Sequence, residues 1–264
     1  MLDFSADLAT FSPHLPMLDR IDAAAAAGFK AVEASDPYGV PADDMARRLK
    51  DRDMRFIMLA LPITDATSDT DSMVAFRHGL DRAIDYAASI GCRYLTCPAA
   101  MTEINLGDAA QRDHLVAALR HAAARLMARS IRLFLEPLPA GSHGPHDLSG
   151  TLTLLNEVGS RNLSMNCGFG YGRAWEVPLA RALERHLPRI GHIKIADGAA
   201  SPGADGHVLE PERLLAALDR LGYCGWISCG GARDWLTPFL ESQPPVLTWH
   251  GEPSGRPAQT QATA

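Results

Sequence analysis

Leu115-Val-Ala-Ala-Leu119-Arg-His-Ala122-Ala123-Ala-Arg-Leu126, followed six residues later by Arg132-Leu-Phe-Leu-Glu136, carries the pattern that opens the rest of the chain. Apolar residues recurring at three and four predict an amphipathic helix, here over 108–129, and the short apolar run behind it predicts a buried strand. The same alternation repeats eight times. Strands are expected at 3–9, 31–34, 55–61, 94–98, 132–136, 163–168, 191–196 and 225–229. Helices are expected near 15–27, 41–52, 71–90, 108–129, 149–159, 176–187 and 210–221. Gly28, Gly91, Gly159 and Gly222 stand just past helix ends, where a left-handed residue is wanted. Strict βα alternation implies parallel strands, and eight units in roughly 240 residues predict a single-domain (β/α)8 TIM barrel, an α/β fold, over 1–240. A doubly wound sheet would want a Gly-rich turn after the first strand, and Thr10-Phe-Ser-Pro-His is not one. From residue 241 the composition turns to Pro, Gly, Thr, Gln and Ala, so 241–264 reads as a flexible tail.

Bulk properties narrow the function. Hydrophobic residues are 47% and charged residues 21% of 264, which suits a globular protein with a full core. A formal charge of −6 argues against nucleic acid, because phosphate binding needs clustered Lys and Arg. No apolar run reaches the eighteen or so residues of a membrane span, and the first residues lack the zones of a signal peptide. Five cysteines with no Cys-x-x-Cys pair read as reduced thiols of a cytoplasmic protein. A catalytic thiol at Cys97, Cys167 or Cys229 is disfavoured, since no partner His lies at a recognisable spacing.

In a barrel of this kind the chemistry lies at the C-terminal strand ends, and period-two alternation selects the inward residues. Phe134 and Glu136 share one face, as do His192 and Lys194. Strand six turns Ser164, Asn166 and Gly168 inward, strand eight Trp226, Ser228 and Gly230, and strands one and two add Asp7 and Glu33. An isolated ion in apolar surroundings costs several kcal/mol, so Glu136 and Lys194 should pair or do chemistry. His192 lies deeper and reads as a core histidine satisfied by a neighbour. His143, Tyr171, Arg173, Trp175 and His207 lie on adjoining loops, His143 as a second acid/base and the others as substrate contacts. Gly168-Phe-Gly-Tyr-Gly172 is not the dinucleotide fingerprint, so no such cofactor is expected.

Phe4-Ser-Ala-Asp-Leu, Ala25-Ala-Ala-Gly-Phe-Lys-Ala-Val-Glu33, Glu136-Pro, Leu148-Ser-Gly-Thr, Gly191-His-Ile-Lys-Ile-Ala-Asp197 and Gly222-Tyr-Cys-Gly-Trp-Ile-Ser-Cys229 together resemble the hydroxypyruvate isomerase branch of the xylose isomerase-like barrels. The resemblance implies one divalent metal held by a Glu after strand five, an Asp after strand six, a Gln on strand seven and a Glu after strand eight. It also implies that the two Glu residues move a proton between adjacent carbons. Only Glu136 matches; the other positions read Gly168, Lys194 and Gly230. A divalent site needs three or four donors, so no metal cofactor is expected, and Lys194 brings positive charge to where the cation would sit.

The expected function is therefore a metal-independent isomerase, epimerase or lyase acting by proton transfer on a small oxygenated or carboxylated metabolite. Glu136 would move the proton, Lys194 would steady the oxyanion, and Asp7, Glu33, Asn166 and Ser228 would bind substrate. A Schiff base on Lys194 fits less well, because a close carboxylate favours the charged amine. The alternative is a non-catalytic ligand-binding or regulatory protein on the same barrel. A metal-dependent nuclease would need many His and carboxylate ligands and a basic groove. Barrels of this branch often associate, which makes a homo-oligomer a further expectation.

Overall fold

The computed structural model describes residues 2–62, 69–97, 109–137, 148–169, 179–195, 211–230 and 240–241. Eight strands close a parallel barrel in chain order. They are β1 (Asp3–Asp7), β2 (Ala31–Ala34), β3 (Arg55–Ala60), β4 (Tyr94–Cys97), β5 (Arg132–Leu135), β6 (Leu163–Phe169), β7 (Ile190–Ile195) and β8 (Trp226–Cys229). Between them run α1 (Met17–Ala26), α2 (Ala42–Asp51), α3 (Asp69–Ile90), α4 (Ala109–Met127), α5 (Leu148–Val158), α6 (Leu179–His186) and α7 (Pro211–Arg220). Each expected strand and helix is present, most ends falling within a few residues of the expectation. Gly91 and Gly222 end α3 and α7 with φ of 71° and 70°, the left-handed geometry that a side chain resists. The proposed 241–264 tail lies almost wholly outside the described residues, as do His143, Tyr171, Arg173, Trp175 and His207.

Two apolar layers follow from period two on the strands. The larger joins the outward strand residues to the helices, with Phe4, Val32, Leu95, Leu133, Leu135 and Ile193 meeting Ile21, Met45, Leu80, Leu119 and Leu215. The smaller fills the barrel floor, where Ala31, Ile57, Met58 and Phe134 pack with Tyr94 and Trp226. Above that floor the inward residues are polar: Ser5, Asp7, Glu33, Thr96, Asn166, His192 and Ser228 are all buried. A polar layer over an apolar floor is how a barrel core becomes a site, since buried polar groups must find partners.

Two register irregularities shape that layer. Met165 faces Ile190 and Asn166 faces His192, which leaves Gly191 as an extra residue in β7. Val32 faces Phe56 and Glu33 faces Met58, which leaves Ile57 extra in β3. Such bulges re-aim the side chains that follow them. The ring of Phe134 occupies the space where a Cβ of Gly191 would stand, so the β7 bulge requires glycine. The loop after β1 is held by Arg20, which donates to the carbonyls of Leu8 and Pro13 at 2.7 Å and of Leu15 at 2.8 Å.

Candidate active site

Lys194 leaves β7 toward the barrel interior, and its Nζ stands 3.1 Å from Asp7 Oδ2 and 3.4 Å from Glu33 Oε1. Parallel pairing sets this up: Ser5 is in register with Ser228, Ser228 with Lys194, and Asp7 with Glu33. Asp7 is fixed by its other oxygen, Oδ1, which accepts the Ala9 N–H at 3.0 Å. Glu33 turns its second oxygen, Oε2, to His192 Nε2 at 2.9 Å. Across the barrel, Asn166 Nδ2 donates to Glu136 Oε1 at 2.9 Å. Asn166 Oδ1, Thr96 Oγ1, Ser228 Oγ, Glu33 Oε1 and His192 Nε2 are buried and make no aligned hydrogen bond among the described residues, the last two meeting Lys194 and Glu33 as charge contacts.

Electrostatics fix the charge states. Burial alone would push the Glu33 carboxyl up, but the charges of His192 and Lys194 beside it bring it down to about 2. Burial would likewise push the Lys194 amine down; Glu33, Asp7 and Glu136 outweigh it and hold the amine above the ordinary lysine range. The two adjacent carboxylates thus favour the ammonium form of Lys194, which disfavours a Schiff-base role. Burial pushes the Cys97 thiol up to about 12, with the charge of Glu136 adding to the effect, so it is not a nucleophile near neutral pH. Cys92, Cys97, Cys167 and Cys229 are buried and Cys224 is exposed, and all five are free thiols.

The expected inward set of Glu136, Lys194, Asp7, Glu33, Asn166 and Ser228 belongs to this strand-end layer. One expectation is corrected. Lys194 does not take Glu136 as its ion-pair partner but Asp7 and Glu33, and Glu136 reaches it only as a further nearby charge. The cause is topology, since closure of β8 on β1 carries Asp7 and Glu33 to the β7 side. His192 is 1% exposed, and its Nε2 lies 2.9 Å from Glu33 Oε2 as a charge contact rather than an aligned hydrogen bond, while Glu33 also faces Lys194. Ser5 was missed. It shares the parity of Asp7, and its Oγ makes a long contact to Glu33 Oε2 at 3.5 Å.

The four metal positions implied by the resemblance read Glu136, Gly168, Lys194 and Gly230. Gly168 lies in register with Lys194, so glycine and an ammonium stand where donors would be. Glycine side chains donate nothing, and an ammonium bound to two carboxylates has no lone pair for a cation. Among the described residues no three His, Cys, Asp or Glu side chains are arranged to hold a metal ion. The residues present do not fit that metal.

Several known proteins resemble this chain over most of its length. The 2-oxo-tetronate isomerase of Pectobacterium atrosepticum is 27% identical over 92% of this chain and 100% of its own. The hydroxypyruvate isomerase of Escherichia coli is 27% identical over 90% of this chain and all of its own. Among solved structures, one described as an AP endonuclease, family 2, from Brucella melitensis superposes with a TM-score of 0.79 at 26% identity, covering 90% of this chain and 99% of that one. A D-allulose 3-epimerase from Methylomonas shares the fold with a TM-score of 0.70 at 20% identity, over 86% and 83% of the two chains. The family model described as xylose isomerase-like TIM barrel matches residues 21–248. The chain belongs to the xylose isomerase-like TIM barrel family.

Proposed function

We propose that this barrel isomerises a small α-hydroxy carbonyl metabolite without a metal, with Glu136 moving the proton and the Lys194 ammonium serving as the cation. The observation that carries this reading is the fixed, charged Lys194 at a position where the family's metal ligand is expected, with the Asn166-held Glu136 in the same polar layer. Glu136 takes the proton from the carbon bearing the hydroxyl. The C–H electron pair becomes the new C=C bond, and the carbonyl electrons move to oxygen, where Lys194 balances the charge. Glu136 then returns the proton to the neighbouring carbon, while the hydroxyl proton passes to the former carbonyl oxygen. Atoms and charge balance, and the product is an isomer. Because the second glutamate position reads Gly230, a single carboxylate acts from one face. That arrangement supports isomerisation over epimerisation, which wants a base on each face.

The relatives' names make hydroxypyruvate and four-carbon 2-oxo acids the first compounds to try. Incubation in D2O, read by NMR, reports proton abstraction at the hydroxyl-bearing carbon before any product is identified. Deuterium uptake or isomer formation that falls about 10²- to 10⁴-fold in Glu136→Gln is the expected result. Binding without exchange in the wild type would contradict it and favour the second reading, a non-catalytic ligand-binding barrel. Gly168 and Gly230 support that second reading, since both remove side chains the family reaction uses. Among the described residues no helix is long and apolar enough to cross a membrane, and the free thiols agree with a cytosolic setting.

A further inference from the structure

The chain has only three lysines, Lys30, Lys50 and Lys194, among 25 basic residues. Among the described residues arginine makes the surface ion pairs, as in Arg47 with Asp44, Arg52 with Asp22 and Arg125 with Asp81. A lysine inside the barrel is therefore a local choice, and its placement is unusually well determined. Two carboxylates face its Nζ, and each is anchored by its second oxygen: Asp7 Oδ1 on the Ala9 N–H, Glu33 Oε2 on His192 Nε2. The first anchor is backbone. The second is a side chain with a support of its own.

We propose that His192 is a positioning residue for Lys194, gripping one oxygen of Glu33 so that the other is aimed at the ammonium. The imidazole is 1% exposed and Glu33 is 2% exposed, so water cannot replace the contact cheaply. A carboxylate only accepts, so this grip requires the hydrogen on Nε2, which at 2.9 Å approaches Oε2 from off the ring N–H direction. The ring lies nearly parallel to Phe134, with centroids 6.3 Å apart and planes at 13°, and Phe134 stacks in turn on Tyr94 at 5.2 Å. Phe134 fits there because the extra residue of β7 is Gly191, and period two puts His192 and Lys194, both past the bulge, on the same side. A line of contact thus runs from the apolar floor through His192 and Glu33 to the cation. Loosening any link lets the ammonium drift, and a misplaced charge stabilises a developing oxyanion poorly.

This inference rests on the proposed role of Lys194, but its test does not need turnover. With three lysines, 13Cε-lysine labelling gives three side-chain methylene signals, and a held Lys194 shows two inequivalent, shifted Hε protons. His192→Phe keeps the stack and removes the donor, whereas His192→Gln keeps a donor and loses the stack. His192→Phe is expected to collapse the Lys194 signal toward that of a freely rotating side chain, leaving Lys30 and Lys50 in place, and His192→Gln to preserve it. Where a substrate is in hand, kcat should fall about 10- to 100-fold in His192→Phe with KM within about twofold, and recover in His192→Gln. In the wild type, which needs no variant to fold, the imidazole 15N spectrum should show an Nε2–H that is lost as a slow-exchanging signal in Glu33→Gln. An unchanged Lys194 signal in folded His192→Phe, or a wild-type His192 protonated at Nδ1 alone, would overturn the proposal. So would a His192→Gln that behaves like His192→Phe. An unmoved Lys194 signal with measurable isomerase activity would fail this inference and leave the proposed function standing.

Discussion

Lys194 balances two buried carboxylates, so replacing it tests charge and stability together. Lys194→Met leaves Asp7 and Glu33 facing each other without a counter-ion, and should cost about 3–5 kcal/mol in urea unfolding. Adding Glu33→Gln should recover part of that loss, and a double variant no more stable than the single one would count against the pairing. Glu33 also gives a signed acid dependence. Its folded carboxyl titrates near 2, below the ordinary 4.5, so its contribution is present above about pH 4.5 and is lost as pH falls toward 2. A shift of that size corresponds to stabilisation on the order of 3 kcal/mol. Acid unfolding of Glu33→Gln should accordingly be shallower than wild type between pH 4.5 and 2; equal slopes would show that Glu33 is not the group responsible. At this scale alternation alone identified Asp7, Glu33, Glu136, Asn166, Lys194 and Ser228, because buried polar residues at inward parity stand out in apolar strands. It could not identify Lys194's partners, which come from the first two strands and meet β7 only when the barrel closes. Ser5 and His192 carried the same signal in weaker form, and each reads equally well as ordinary core.

Among the elements, β7 is the one that carries the proposed cation, and its bulge depends on one glycine. Gly191→Ala would drive a methyl group into the Phe134 ring. Overpacking of this kind typically costs about 1–3 kcal/mol, and here it should also disturb His192 stacking. Urea midpoints measure the first effect and the Lys194 side-chain signal the second; a neutral Gly191→Ala would mean that the ring moves aside freely. The strands and helices were legible because their periods differ and the glycines punctuate them. The two bulges were not, since one extra residue in a strand leaves the apolar run unbroken and shows only when neighbouring strands are aligned.

For the whole molecule, the central claim is that a barrel of a family expected to hold a metal uses an ammonium ion instead. The fold follows from eight strands alternating with seven described helices, and family membership agrees with it over most of the chain. The active-site departure is legible in three positions, Gly168, Lys194 and Gly230, but its meaning depends on where Lys194 points, which only the assembled barrel shows. The most direct test needs no substrate: titrate chelator-stripped protein with Mn²⁺, Co²⁺ and Mg²⁺ and follow the thermal midpoint. A ligand that binds only the native state at a hundredfold excess over its Kd stabilises by about 2.7 kcal/mol, a shift of several degrees that would be easily seen. The prediction is no saturable shift with any of the three ions. A saturable rise of several degrees that disappears in Glu136→Gln would show a metal bound at the strand ends and would contradict the account.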